Sequence, residues 1–145
     1  MTPVHSCGEL LLAGQPAPED LKLLKERGVK TIISVRHADE IDWDEAAAAA
    51  TYDMTFIHVP FQGEAELTDD VFDKVLSALR NKENGPTVFH CGSANRVGAI
   101  WYAHRVLNEG VDADVAEQEA KAVGLRNPAY LKKSQDYVKD HVNAD

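Results

Sequence analysis

The sequence predicts a single α/β domain: a central, mainly parallel sheet flanked by helices on both faces. Three observations lead there. The chain has 145 residues, one domain's worth. Short β-branched apolar runs alternate with amphipathic stretches of helical period along its whole length. No repeat, linker or break in composition divides it, so residues 1–145 form one unit. Strands that alternate with helices in chain order become parallel neighbours, because a crossover helix carries the chain back to the same end of the sheet.

Each element has its own signal. Glu9 to Ala13 is a short apolar run halted by Gly14-Gln15-Pro16. Pro18-Glu19-Asp20 opens a helix, since proline and acidic side chains suit a first turn, and Leu21 and Leu24 follow at helical spacing. Gly28 stops it. Within Val29 to Val35, the run Thr31-Ile32-Ile33-Ser34-Val35 suits a buried strand. Asp39 to Thr51 is alanine-rich and reads as one helix, with Asp39, Glu40, Asp42, Asp44 and Glu45 as its solvated face. Thr55 to Val59 is the next strand, closed by Pro60. Gln62 to Glu66 reads as a loop, and Thr68 as the N-cap of a helix that buries Val71, Phe72, Val75, Leu76 and Leu79. Asn84-Gly85-Pro86 breaks the chain before the buried strand Thr87-Val88-Phe89-His90. Helices over Val97 to Glu109, Asp112 to Val123 and Pro128 to Val142 complete the chain, with Trp101 and Tyr102 in the core.

Composition narrows the function. Fifteen basic against 24 acidic residues give a net charge of -9, a poor match to nucleic acid. No apolar run approaches the ~20 residues needed to span a bilayer, and Met1 to Gly8 lacks the layout of a signal peptide. The expectation is a cytoplasmic protein that binds neither membrane nor nucleic acid. Two cysteines, Cys7 and Cys91, do not make a disulfide framework, so reactivity is the better question. Cys7 reads as an isolated thiol.

Chemistry concentrates in Val88-Phe89-His90-Cys91-Gly92-Ser93-Ala94-Asn95-Arg96-Val97-Gly98. A strand delivers Cys91 into a tight loop of small residues that runs straight into a helix. In an open α/β sheet, reactive groups gather at the carboxyl ends of the strands. Backbone N–H groups of such a loop converge as an anion nest, backed by the helix N-terminus. The same field favours a thiolate. Arg96 adds a permanently charged planar fork able to hold two oxygens of an anion. His90 is placed to orient the loop through its ring nitrogens. The segment is no Walker loop, since no Gly-Lys-Ser/Thr follows. It is no metal site either, because His90 and Cys91 are adjacent and no second ligand pair follows. No cofactor is called for; the partner expected is a small anionic or phosphorylated substrate.

At these residues the chain resembles the cysteine-dependent tyrosine/dual-specificity phosphatase superfamily, and within it the bacterial beta-lactamase-hydrolase-like, phosphatase-like family. The resemblance spans nearly the whole chain. Gly14-Gln15-Pro16 with Pro18-Glu19-Asp20-Leu21 is similar to the family's opening, and Gly28 to Arg36 to its first central strand and trailing arginine. His58-Val59-Pro60 is similar to the strand before the acid loop, and His90 to Arg96 to the active loop. The resemblance implies a dual-specificity-phosphatase-like fold. It also implies Cys91 as nucleophile and Arg96 as anion binder, with the amides of Gly92, Ser93, Ala94, Asn95 and Arg96 lining the pocket.

Three departures keep a second reading open. Four residues separate Cys91 from Arg96, where the superfamily's phosphatases have five; four is the length seen in rhodanese-type sulfurtransferases. Val97 stands where a Ser or Thr usually helps the thiolate leave. No aspartate follows Pro60, and Glu64 is the nearest carboxyl and the candidate general acid; Asp69 and Asp70 fit a helix first turn better. The expectations are therefore phosphomonoester hydrolysis through a Cys91 thiophosphate, sulfur transfer through a Cys91 persulfide, or an anion-binding module without turnover. Arg36 is expected either at the pocket mouth or in an ion pair with Asp39 or Glu40.

Overall fold

The computed structural model describes residues 4–92 and 94–142. Five short strands form one sheet in the order β1-β2-β5-β3-β4: β1 Val4–Cys7, β2 Leu10–Ala13, β3 Thr31–Ser34, β4 Thr55–His58 and β5 Thr87–His90. All neighbours are parallel except β1, which folds back antiparallel on β2 through Gly8, whose φ is +62°. This edge strand was not predicted, because Val4-His5-Ser6-Cys7 is short and mostly polar. The helices are α1 Pro18–Glu26, α2 Glu45–Thr51, α3 Asp69–Arg80, α4 Asn95–Ala103, α5 Ala113–Val123 and α6 Pro128–Val142.

Side chains of a strand alternate between the two faces of its sheet, and the core divides accordingly. Leu12, Ile33, Val35, Phe89 and Cys91 pack with residues of α3, α4, α5 and α6. Ala13, Ile32 and Val88 pack with Leu21 and Leu24 of α1 and Ala49 of α2. Cys91 therefore belongs to the α4 side of the sheet, and His90, one residue earlier, to the α2 side. That alternation governs the site.

Several boundaries depart from the sequence reading. The expected helix over Asp39 to Thr51 is two elements: a single 3-10 turn, Ala38–Glu40, and α2, which begins at Glu45 under an Asp44 cap that accepts from Ala47 N–H. The helix expected to run to Glu109 changes hydrogen-bond pattern after Ala103 and closes as a π-helical turn, His104–Asn108. Thr68 does cap α3, accepting from Val71 N–H. Trp101 and Tyr102 are buried, as expected.

Gly98 lets α4 and the chain leaving α5 meet closely. A Cβ there would lie 2.8 Å from the Ala120 carbonyl oxygen and 2.9 Å from the Leu125 backbone nitrogen. Backbone cannot step aside as a side-chain tip can. Gly98→Ala is therefore expected to destabilise the domain by about 1–3 kcal/mol despite the better helix propensity of alanine. Urea unfolding would show this; an unchanged midpoint would mean the two segments separate freely.

Candidate active site

The loop after β5 is held at both ends. Cys91 N–H donates to Ala13 O and Gln15 N–H to Gly92 O, each at 3.3 Å, which ties the loop to the end of β2. Ala94 is left-handed, with φ 67° and ψ 6°, a conformation uncommon for a residue with a side chain. A left-handed residue entering a helix turns successive amides toward one side, the geometry of a nest. The first helical N–H groups of α4 have no intrahelical acceptor; Gly98 N–H is bonded to Ala94 O. Gly124 braces the strained turn: a Cβ there would lie 3.1 Å from three atoms of Ala94. Cys91 itself is 1% exposed.

Of the loop residues named from the sequence, Ser93 lies outside the described residues. Asn95 turns its side chain away from the loop, where Oδ1 accepts from Arg126 N–H at 2.7 Å and Asn127 N–H at 3.2 Å. Asn95 thus fastens the α5–α6 connection to the loop, and its side chain is not free to line the pocket expected there.

Arg96 is the best-defined member. Nη1 donates to Glu40 Oε2 at 3.0 Å and to Phe61 O at 2.9 Å, and Nη2 donates to Glu40 Oε1 at 2.7 Å. A guanidinium has five N–H donors in a rigid fork. Among the described residues these three bonds leave Nε–H and one Nη2–H without a partner, and they form one edge of the fork. Nη2 stands 3.8 Å from where a Gly92 side chain would begin. Burial alone would push Arg96 down, but Glu40, with smaller contributions from Cys91 and Tyr130, raises it above its ordinary value.

From the sequence Glu40 was named only as a possible partner of Arg36 and as part of a solvated helix face, and the structure corrects the solvated face for Glu40 and Glu45. The Glu40 side chain is 12% exposed and holds Arg96 and Arg36 together. Burial would raise it, yet Arg96, the His37 N–H at 2.8 Å and Arg36 outweigh burial and hold its carboxyl at about 2. Glu45 is 3% exposed, because α2 starts against the sheet, and its Oε2 is 2.5 Å from His90 Nε2. Among the described residues His90 therefore bonds Glu45 and no group of the loop, in place of the loop-orienting role expected of it. Its Nδ1 is buried and has no partner among the described residues. Arg36 combines both expectations: it pairs with Glu40 at 3.3 Å, and its guanidinium carbon is 3.8 Å from the Gly92 side-chain position.

The segment that carries Glu64 is pinned by two bonds. Gly63 N–H donates to Tyr130 Oη at 2.8 Å, and Gln62 N–H to Glu66 Oε1 at 2.7 Å. Glu64 and Glu66 lie on a 3-10 turn rather than the expected open loop. Glu66 is also engaged by His37 Nε2 at 2.7 Å, a bond that lowers Glu66 and raises His37. The Glu64 carboxyl is exposed and makes no hydrogen bond among the described residues.

Elsewhere, a cavity of about 1050 Å³ is lined by Cys7, Trp101 and Arg105, but burial pushes the Cys7 thiol up and Arg105 is bound to Glu119 and Glu109. Cys7 pairs with Leu10, which pairs with Thr87. Cys91 is then about 13 Å farther along β5 and about 10 Å across the sheet, beyond the ~7 Å Cα separation a disulfide tolerates. The loop remains the candidate site. Among the described residues no three His, Cys, Asp or Glu side chains are grouped to hold a metal ion. No helix of the described residues is long and apolar enough to cross a membrane.

The profile of the family described as DSP-PTPase phosphatase fused to NAD+ kinase matches residues 6–139. The chain belongs to this DSP-PTPase family. No curated protein matches. Among solved structures, Tk-PTP in its active form superimposes with a TM-score of 0.82 at 15% identity, over 96% of this chain and 99% of that one. The core catalytic domain of the S. cerevisiae PP-IP phosphatase Siw14 gives 0.78 at 18% identity, over 97% and 87%. TpbA of P. aeruginosa gives 0.72 at 22%, over 94% and 83%. At these identities the likeness establishes the fold of the DSP-PTPase domain: a five-stranded, mostly parallel sheet flanked by helices.

Proposed function

We propose that the protein is a cysteine-dependent phosphatase that hydrolyses phosphomonoesters through a Cys91 thiophosphate. The observation that carries this reading is the Arg96 fork. One edge is clamped by Glu40 and Phe61 O, and the Nε–Nη2 edge is left open beside Gly92. An arginine held that way offers two parallel donors to two oxygens of one anion. In the first step the Cys91 sulfur bonds to phosphorus as the P–O ester bond breaks, with Arg96 and the loop amides from Gly92 to Arg96 holding the non-bridging oxygens. Glu64 gives its proton to the leaving oxygen. In the second step water bonds to phosphorus, its proton passes to Glu64, and the S–P bond breaks to return the thiolate. The net charge of -9 disfavours polyanionic macromolecules and leaves the loop to small or isolated phosphoryl groups.

The four-residue spacing and Val97 favour one other chemistry, transfer of a sulfane sulfur through a Cys91 persulfide. The two are separated by assaying an aryl phosphate, and thiosulfate with cyanide, on the same preparation. Phosphate release at rates well above thiocyanate formation supports hydrolysis; the reverse overturns it.

Glu64→Gln tests the acid. Turnover of phenyl phosphate is expected to fall about 10²-fold, and that of p-nitrophenyl phosphate far less, because nitrophenolate leaves without a proton. Equal losses on both substrates would assign Glu64 a structural role instead.

A further inference from the structure

We propose that Gln15 and Glu45 are positioning residues that couple His90, at one end of the loop, to Arg96, at the other, through one continuous chain of side-chain hydrogen bonds. The proposal rests on the phosphatase reading for its kinetic consequence, though not for its geometry. Starting from Arg96, Nη2 donates to Glu40 Oε1 at 2.7 Å, and Arg36 Nε donates to the same oxygen at 3.3 Å. Arg36 Nη1 donates to Gln15 Oε1 at 3.0 Å, and Gln15 Nε2 donates to Glu45 Oε1 at 3.1 Å. Glu45 Oε2 then meets His90 Nε2 at 2.5 Å.

Every link has a fixed direction. A guanidinium only donates and a carboxylate only accepts. Gln15 sits between one of each, so its carbonyl must face Arg36 and its amide Glu45. Leucine would break both bonds, and glutamate would set a second carboxylate against Glu45. The same logic settles the His90 ring. Nε2 faces a carboxylate and must carry the proton donated to it. Nδ1 is buried without a partner among the described residues, and an orphaned N–H is rarer there than a bare acceptor. Glu45 therefore fixes Nε2 as a proton-bearing nitrogen and with it the orientation of a ring whose backbone leads directly into Cys91.

The chain also grips the loop between its ends. Gln15 N–H holds Gly92 O, and the Arg36 guanidinium stands against Gly92. A slip at Gln15 would reach the nucleophile side and the anion side together. A buried carboxyl–imidazole pair such as Glu45 and His90 is weak evidence for stability, since apolar groups of like volume commonly replace buried polar pairs at no loss. Specificity of geometry is the better account of why these groups are here.

The test is Gln15→Leu, which removes the side-chain bonds to Arg36, Glu45 and Pro16 O and keeps the backbone N–H to Gly92. With the variant shown to be folded by its melting transition, the ring ¹⁵N signals of His90 and the guanidinium signals of Arg96 are both expected to move, although Gln15 touches neither. On p-nitrophenyl phosphate, kcat is expected to fall about 10- to 100-fold with KM changed little, as for a misplaced but present catalytic group. If the variant does not fold, Glu45→Gln, of the same size, takes its place: His90 should lose its fixed Nε2–H and the Arg96 signals should move. Unmoved Arg96 signals in the folded variant overturn the proposal. A wild-type protein that hydrolyses no aryl phosphate would refute the phosphatase reading, while the two sets of NMR signals would still decide the coupling.

Discussion

Cys91→Ser is expected to lower aryl phosphate turnover by about 10⁴-fold or more while leaving the domain folded. Removing the nucleophile of a covalent mechanism costs that much or more, because the remaining groups act through it. The fold should survive, since serine is slightly smaller than the cysteine it replaces in a site 1% exposed. Burying its hydroxyl costs about 1–3 kcal/mol at most if no partner is found. Phosphate should still bind, because Arg96 and the amides are untouched, and titration of the Arg96 guanidinium signals with inorganic phosphate would report it. Turnover within tenfold of wild type would remove Cys91 from the mechanism. Thiocyanate formation lost with phosphatase activity unchanged would hand the cysteine to sulfur transfer.

Glu40→Gln is expected to damage both stability and activity, with a pH signature that identifies the cause. The Glu40 carboxyl is held at about 2 against an ordinary 4.5. A group depressed in the folded state contributes stability that is fully present above its unfolded value and lost as pH falls through the folded value. For this shift the contribution is about 3 kcal/mol, lost between pH about 4.5 and about 2. At neutral pH the variant leaves a largely buried guanidinium without its carboxylate, and breaking such a pair costs about 3–5 kcal/mol. Urea unfolding at pH 7 should therefore separate wild type from variant by roughly 3 kcal/mol, and the gap should close as pH falls toward 2. A gap that persists unchanged at low pH would show that the loss comes from packing. Because Glu40 also presents the open edge of Arg96, phosphate affinity should fall in the same variant at pH 7.

The loop could be read in the sequence because its signals are local. A β-branched strand, a cysteine, small residues, an arginine and a helix start follow one another within Thr87 to Gly98, and neighbours in sequence are neighbours in space there. The parallel sheet was legible for the same reason, each strand and helix carrying its own period. Where the local signal was weak the reading failed. Val4–Cys7 looked too polar for a strand, and the alanine run drew Asp39 to Asp44 into a helix that starts only at Glu45.

What sequence alone determined about this protein is the strand-to-helix loop with Cys91 and Arg96 at its two ends, and the sheet that presents it. What only the tertiary structure decided is which groups hold those ends. Glu40 and Glu45 are separated from Arg96 and His90 by 56 and 45 residues, and by composition they belong to an acidic stretch like any solvated surface. The burial of Glu45 follows from two facts that no local window contains. Alternation along β5 sends Cys91 and His90 to opposite faces of the sheet, and the parallel crossover brings the start of α2 over the face that His90 occupies. A carboxylate on a surface is solvated by water and free to move. Placed beside a buried imidazole or a guanidinium, the same group must be paired, and the pairing fixes the geometry of the site.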